Sequence, residues 1–287
     1  MDMEAAAFFD SYLPDALRRA QEYARDDGFV ASLPQLLRAR LDASYDNFIW
    51  NNWFNPNTEE HLVKTSGGVR VIVTIHGGGI FSDPERYEKL FRASTDRYSE
   101  FGFTGYFAAK ISVNEAQDVL NGKMPDGVDV PIYSFEEFKQ GIDSVPRRYG
   151  VVTDFETAKN SACGYESFDV LKDDPVMIVR AGGVAAASDY LDKVRDRNNT
   201  SKMGSWHPFR YIDTPDQPQT RVPNLSGNKG GLGSEDDDGH LRGYDTDYGI
   251  GGDSWIHSTS MINVARYVAV APRDTANGVR NLPFTAE

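Results

Sequence analysis

A single cysteine, Cys163, stands in 287 residues. That scarcity excludes an intramolecular disulfide and any zinc site built from several cysteines. Long apolar runs are missing too, since no stretch approaches the roughly 20 residues a membrane-spanning helix needs. The opening MDMEAAAFFDSYLPDALRRAQ carries early acids and no apolar core, so it does not read as a signal peptide. The expected setting is a reducing cytoplasm, where the sequon-like NNTS at Asn198 and Asn199 has no role. Basic residues are also short, 30 against 43 acids, for a net charge of -13. Such a surface repels phosphate backbones and anionic membranes, which counts against nucleic-acid and membrane partners. Cations, basic partners and neutral substrates stay open. Histidine is sparse, five in all, and no H-x-H or H-E-x-x-H spacing occurs. No internal repeat is visible.

What is present reads as an ordinary soluble globular chain, 40% hydrophobic and 25% charged. Its mean hydropathy of -0.50 is polar for that content, so the polarity must be concentrated somewhere. Leu13, Leu17, Ala20 and Tyr23 recur near helical spacing, and a second helix opens after Ser32 with Leu36, Leu37 and Leu41 inward. Residues 1–60 are therefore expected to be a helical segment packing on a main domain of 61–287. Within that domain, residues 69–75 (VRVIVTI) are the clearest strand, closed by three glycines. Asp83-Pro84 opens a helix toward Ser99, and 103–111 and 128–133 read as strands. Ser112 with Glu115 and Ser134 with Glu137 are capping boxes. Strands are expected at 149–153 and 175–180, a helix at 184–195, and an apolar segment at 261–271 that returns to the core.

Strands separated by short helices imply an α/β fold with a mixed sheet and short crossover helices, although an α+β arrangement would give the same string. From about 198 to 260 the regular periods stop and Gly, Asp, Asn and Ser dominate. Trp206, Phe209, Tyr211, Tyr244, Tyr248 and Trp255 punctuate that stretch. Disordered tracts are poor in aromatics, so an ordered, loop-rich region is expected.

Three motifs carry chemistry. Ile75-His76-Gly77-Gly78-Gly79, directly after the best strand, resembles the oxyanion-hole loop of lipases and esterases in the α/β-hydrolase family. That resemblance implies backbone amides facing a developing oxyanion, but the family's G-x-S-x-G elbow is missing, and Ser161-Ala162-Cys163-Gly164 lacks the leading glycine. Asp154-Phe155-Glu156-Thr157 resembles the first motif of the DnaQ-like 3′–5′ exonucleases, where an Asp and a Glu two residues apart hold divalent metal. Carried across, Asp154 and Glu156 would be the pair; the alternative is a surface turn that caps the next segment. Residues 234–245 (SEDDDGHLRGYD) resemble an EF-hand or dockerin-type calcium loop with Gly239 at position six. Asp236, Asp238, the His240 carbonyl and Asp245 would then be the ligands. Ser234 in place of the first Asp and Asp245 in place of the bidentate Glu depart from that pattern. Oxygen ligands suit calcium or magnesium.

Two function classes follow, and the sequence does not decide whether the chain is an enzyme. One is a hydrolase or transferase with a pocket at the carboxyl ends of the strands, near His76, Asp154 and Glu156. The other is a non-catalytic binding or assembly protein whose aromatic, acidic loop region 198–260 is a recognition surface, organised by calcium.

Overall fold

The computed structural model describes residues 3–10, 12–93, 101–102, 104, 108–142, 144–198, 202–207, 209–212, 214–225, 250–251 and 265–272. The chain enters as a strand, β1 (Met3–Asp10), rather than as a helix. Its small residues Ala5, Ala6 and Ala7 pair in register with Val270, Ala269 and Val268 of β13 (Ala265–Pro272). That long-range partner is what overrides the helical propensity of an alanine run. Helix α1 (Leu13–Ala24) follows, with Pro14 in its first turn and Leu13, Leu17, Ala20 and Tyr23 buried. β2 (Phe29–Val30) joins the other side of β13, making a three-stranded antiparallel sheet. α2 (Leu33–Asp42) then begins on a reciprocal cap between Ser32 and Gln35.

The central sheet has six strands. β3 (Thr58–Lys64) and β4 (Arg70–His76) form an antiparallel pair, and β4 also runs antiparallel to β7 (Tyr149–Asp154). Between them the chain makes α3 (Pro84–Ala93), β5 (Ala109–Lys110), α4 (Val113–Leu120), β6 (Ile132–Ser134) and α5 (Phe135–Gln140). Both expected capping boxes form, at Ser112 with Glu115 and at Ser134 with Glu137. After β7 come α6 (Phe155–Lys159), β8 (Gly164–Ser167), α7 (Phe168–Lys172), α8 (Pro175–Ala181), α9 (Val184–Asn198) and β9 (Lys202–Ser205). β10 (Gln219–Arg221) completes the central sheet in the order β5-β10-β3-β4-β7-β6, with β6 and β7 parallel. β11 (Asn224–Leu225) and β12 (Ile250–Gly251) extend β9 and β8 into a four-stranded sheet in which β12 and β9 are parallel. The fold is mixed α/β, with antiparallel and parallel pairs in both larger sheets.

Val63, Val71, Val73 and Ile75 on one face of the central sheet pack with Leu17, Leu90 and Val119 of α1, α3 and α4. Leu62 and Ile72 on the other meet Phe155, Ala158 and Val176. Three expectations are corrected here. Residues 175–180 form helix α8, not a strand, because Asp174 caps it, Pro175 opens it and Gly182 ends it in the left-handed region at φ 92°. Its β-branched residues are buried on all sides, so no amphipathic period shows. Of the strand expected at 103–111, the described residues pair only at Ala109 and Lys110. The strand expected at 128–133 begins only at Ile132.

Candidate functional site

The densest cluster of polar side chains lies inside the sheet. Thr58, Glu59, Glu60 and His61 are consecutive on β3, and each is at most 2% exposed. A buried carboxylate is tolerated only when it is paired or hydrogen-bonded. Alternation along the strand sends Glu59 and His61 to one face and Thr58 and Glu60 to the other.

On the first face, Glu59 lies under the glycine loop that follows β4. Its Oε1 accepts from the amides of Gly79 at 3.0 Å and Phe81 at 2.9 Å. Gly77 and Gly78 hold φ of 87° and 116°, a turn open to few other residues. Gly79 is required for a different reason, since a Cβ there would sit 2.6 Å from Glu59 Oε2. The amides that resemble an oxyanion hole are thus already filled by the protein's own carboxylate. Burial pushes the Glu59 carboxyl up to about 7, against the downward pull of the Phe81, Gly79 and Ile80 amides and the Arg148 charge. His61 Nδ1 meets Thr220 Oγ1 at 2.7 Å, and its Nε2 stands 3.4 Å from Glu59 Oε2. Burial holds the His61 imidazole down at about 3, so it is neutral at pH 7.

On the second face, Arg180 of α8 donates to both Glu60 oxygens, at 2.6 and 2.8 Å, with both side chains essentially unexposed. Its remaining arm donates to the Trp206 carbonyl at 2.8 Å. Beside it, His76 is fully buried, with Nδ1 3.1 Å from Thr58 Oγ1 and Nε2 3.0 Å from the Val179 carbonyl. Burial lowers its imidazole to about 4. Both ring nitrogens are engaged by the scaffold.

The residues expected to act together are not brought together. β4 and β7 are antiparallel, so their carboxyl ends point to opposite edges of the sheet. His76 pairs with Tyr149, whereas Asp154 pairs with Val71. Five rungs separate the two, about 17 Å along the strands. Asp154 is exposed and caps α6 by accepting from the Thr157 amide at 2.9 Å, and Glu156 is exposed beside Lys159 at 3.7 Å. A common pocket for His76, Asp154 and Glu156 is therefore absent from the fold. Asp236, Asp238, His240 and Asp245 lie outside the described residues, and among the described ones no group of three or more His, Cys, Asp or Glu could hold a metal ion. No described helix is long and apolar enough to cross a membrane. Cys163 is half-buried and donates to the His207 carbonyl at 3.3 Å.

A cleft of about 690 Å³ borders the glycine loop, but its walls include Gly77, Arg25, Phe29, Asp126, Arg147 and Arg148 and not His76. Arg148 is tied to Asp126 at 2.5 Å and to the Gly78 carbonyl at 3.0 Å.

A pair of exposed aromatics lies elsewhere, at the four-stranded sheet. Tyr165 of β8 and Trp206, just after β9, meet edge to face with ring centres 5.9 Å apart, and remain 40% and 42% exposed. Tyr211 is 50% exposed. The Arg180 bond at Trp206, and the 3.2 Å contact of His207 Nε2 with the Ser161 carbonyl, fix the backbone under this pair. Leu225 of β11 and Ile250 of β12 pair with each other in this same sheet. Sequence reading reached Trp206 and Tyr211 as members of an aromatic-rich region. It missed Glu59, Glu60, His61 and Arg180, for which only the four adjacent polar residues TEEH before an apolar pair gave a signal.

No protein-family model matches the chain, and no curated protein matches it at a significant level. A solved structure described as "Accommodation of massive sequence variation in Nanoarchaeota by the C-type lectin fold" superposes with a TM-score of 0.61. It is 21% identical, over 92% of this chain and 96% of that one. At that identity the likeness establishes the fold, which the two chains share.

Proposed function

We propose that this chain is a non-catalytic binding or assembly protein whose recognition surface is the aromatic and acidic region 198–260. The observation that carries this reading is the exposed Tyr165–Trp206 pair, held from beneath by the buried Arg180–Glu60 bridge. Large aromatics anchored on a rigid base supply contact area with little entropy to lose, which makes them common anchors at interfaces. The buried His76 and the Arg180–Glu60 pair support the same reading from the other side, because their hydrogen bonds go to the scaffold. The fold supports it by analogy. A scaffold that accommodates massive sequence variation in the Nanoarchaeota structure is suited to carrying a changeable surface here. Asp236, Asp238, the His240 carbonyl and Asp245 would hold a calcium or magnesium ion that orders the acidic part of the region.

The test is to screen the purified chain on glycan and peptide arrays alongside Trp206→Ala. A ligand is expected whose retention falls at least about tenfold in the variant, while urea stability changes by less than about 1 kcal/mol. Turnover of ester or phosphodiester substrates by the wild type would overturn the reading. So would a ligand indifferent to the loss of Trp206. Calcium at millimolar concentration should raise the Tm relative to EDTA, and no shift would remove the cation from the proposal.

A further inference from the structure

Two buried polar atoms on the same face of β3, Glu59 Oε2 and His61 Nε2, lack a hydrogen-bond partner among the described residues, and they face each other at 3.4 Å. Native structures leave few such atoms orphaned, so a facing pair calls for a reason. The geometry supplies one. Glu59 Oε1 carries the amide bonds to Gly79 and Phe81, leaving Oε2 as the oxygen that can take a proton. The other nitrogen of His61 is already engaged with Thr220 Oγ1 at 2.7 Å. We propose that Glu59, His61 and Thr220 form a buried proton-operated latch on the glycine loop, closed when Glu59 is ionised and loosened when it is protonated.

The two states balance without any further group. With Glu59 ionised, His61 carries its proton on Nε2 and directs it at Oε2, while the Thr220 hydroxyl donates to Nδ1. When Glu59 takes a proton from solvent onto Oε2, that O–H donates to Nε2, and the His61 proton moves to Nδ1 and points at Thr220. His61 stays neutral throughout and changes only its tautomer. What changes for the loop is charge. Amides bound to a carboxylate make bonds roughly twice as strong as amides bound to a neutral acid. Arg148, which donates to the Gly78 carbonyl, loses its attraction to Glu59 in the same event.

Among the described residues, the groups facing Glu59 are His61 on its own strand, the loop amides, Arg148 from the segment before β7, and the hydroxyls of Tyr87 on α3 and Tyr267 on β13. Burial raises both phenols, so neither competes for the proton near neutral pH. A carboxyl lifted by burial to about 7 places the transition where the latch can operate. The loop walls two clefts. Gly77, Ser82, Asp83 and Pro84 line the cleft of about 690 Å³, and Ile80 and Asp83 line a second of about 370 Å³. Loosening the latch releases the partition they share.

The measurement is amide hydrogen exchange on the full chain at pH 6 and pH 8, corrected for intrinsic rates. Protection at Gly79 and Phe81 should be about tenfold greater at pH 8, the difference between a charged and a neutral acceptor. Glu59→Gln should abolish that difference. Should this variant fail to fold, nitrogen-15 spectra of wild-type His61 decide the matter. They should show the Nε2–H tautomer at pH 8 and the Nδ1–H tautomer at pH 6, without double protonation. Equal protection at the two pH values, a single His61 tautomer, or an unchanged pH dependence in Glu59→Gln would each overturn the latch.

Discussion

Strand β3 and the edge made by β8 and β9 invert what their compositions suggest. β3 carries two glutamates and a histidine, the residues from which acid–base sites are assembled, yet all three are buried and bonded inward. The β8–β9 edge carries Tyr165 and, just after it, Trp206, residue types expected in a core, yet both remain substantially exposed. Arg180 connects the two regions, with two arms on Glu60 and one on the carbonyl of Trp206. The difference teaches that a residue's chemistry identifies a site only when solvent can reach it. On the proposed reading, the charged interior is framework and the aromatic exterior is what a partner would meet.

The contrast can be broken most forcefully at Arg180. Replacing it with alanine strands Glu60 as an unpaired buried charge, which should cost about 3–5 kcal/mol in urea unfolding. Replacing Arg180 and Glu60 together with methionine should recover most of that loss. Recovery would show that the pair serves the framework and not a reaction. A loss far below the expected range would mean that water reaches the pair, and the region would have to be reclassed as a site.

Acid is the next largest perturbation. His61, His76 and His207 are held by burial at about 3, 4 and 4, below the ordinary histidine value of 6.5. The unfolded chain therefore binds their protons first, and stability rises with pH across that window. The contribution is complete above pH 6.5 and is lost as pH falls toward 4. Glu59 acts with the opposite sign, because its raised value means that the folded state holds a proton the unfolded state has released between about 4.5 and 7. Three histidines against one carboxyl should leave a net fall in stability from pH 6.5 to pH 4. The same histidines placed on the surface would give a flat curve, and calorimetry over that range distinguishes the two.

Asp154→Ala is the smallest test. If Asp154 only caps α6, its loss costs about 1 kcal/mol and changes no metal response. A metal-dependent change in Tm that disappears in this variant would revive the exonuclease-like reading of Asp154 and Glu156.

How far the sequence carried depended on the distance over which each feature is decided. The boxes at Ser112 with Glu115 and Ser134 with Glu137 close within three residues, and both were legible. Strand 69–75 was legible because its β-branched residues need only a sheet to bury them. β3 was not, because TEEH becomes a strand interior only when Arg180, 120 residues away, and the glycine loop neutralise it. β1 was missed for a similar reason, since its partner β13 lies at the other end of the described chain. Helix α8 was a different failure. Its Asp-Pro start and Gly stop were present, but the apolar run between them was read by residue type instead. As for the site, the glycines were found and their occupant was not, since nothing local shows that an internal carboxylate fills the loop. The aromatics of 198–260 were noticed, and the exposure of Trp206 and Tyr211 is a property of the assembled surface.

The β1–β13 pairing also has a mechanical consequence. Met3 lies opposite Pro272 and Asp10 opposite Ala265, so the outermost rung joins the two ends of the ladder that lie nearest the chain's extremities. A pull transmitted through those two points would load the rungs one after another, as in a zipper, instead of shearing all eight at once. Resistance to stretching must then come from the interior that the ladder encloses.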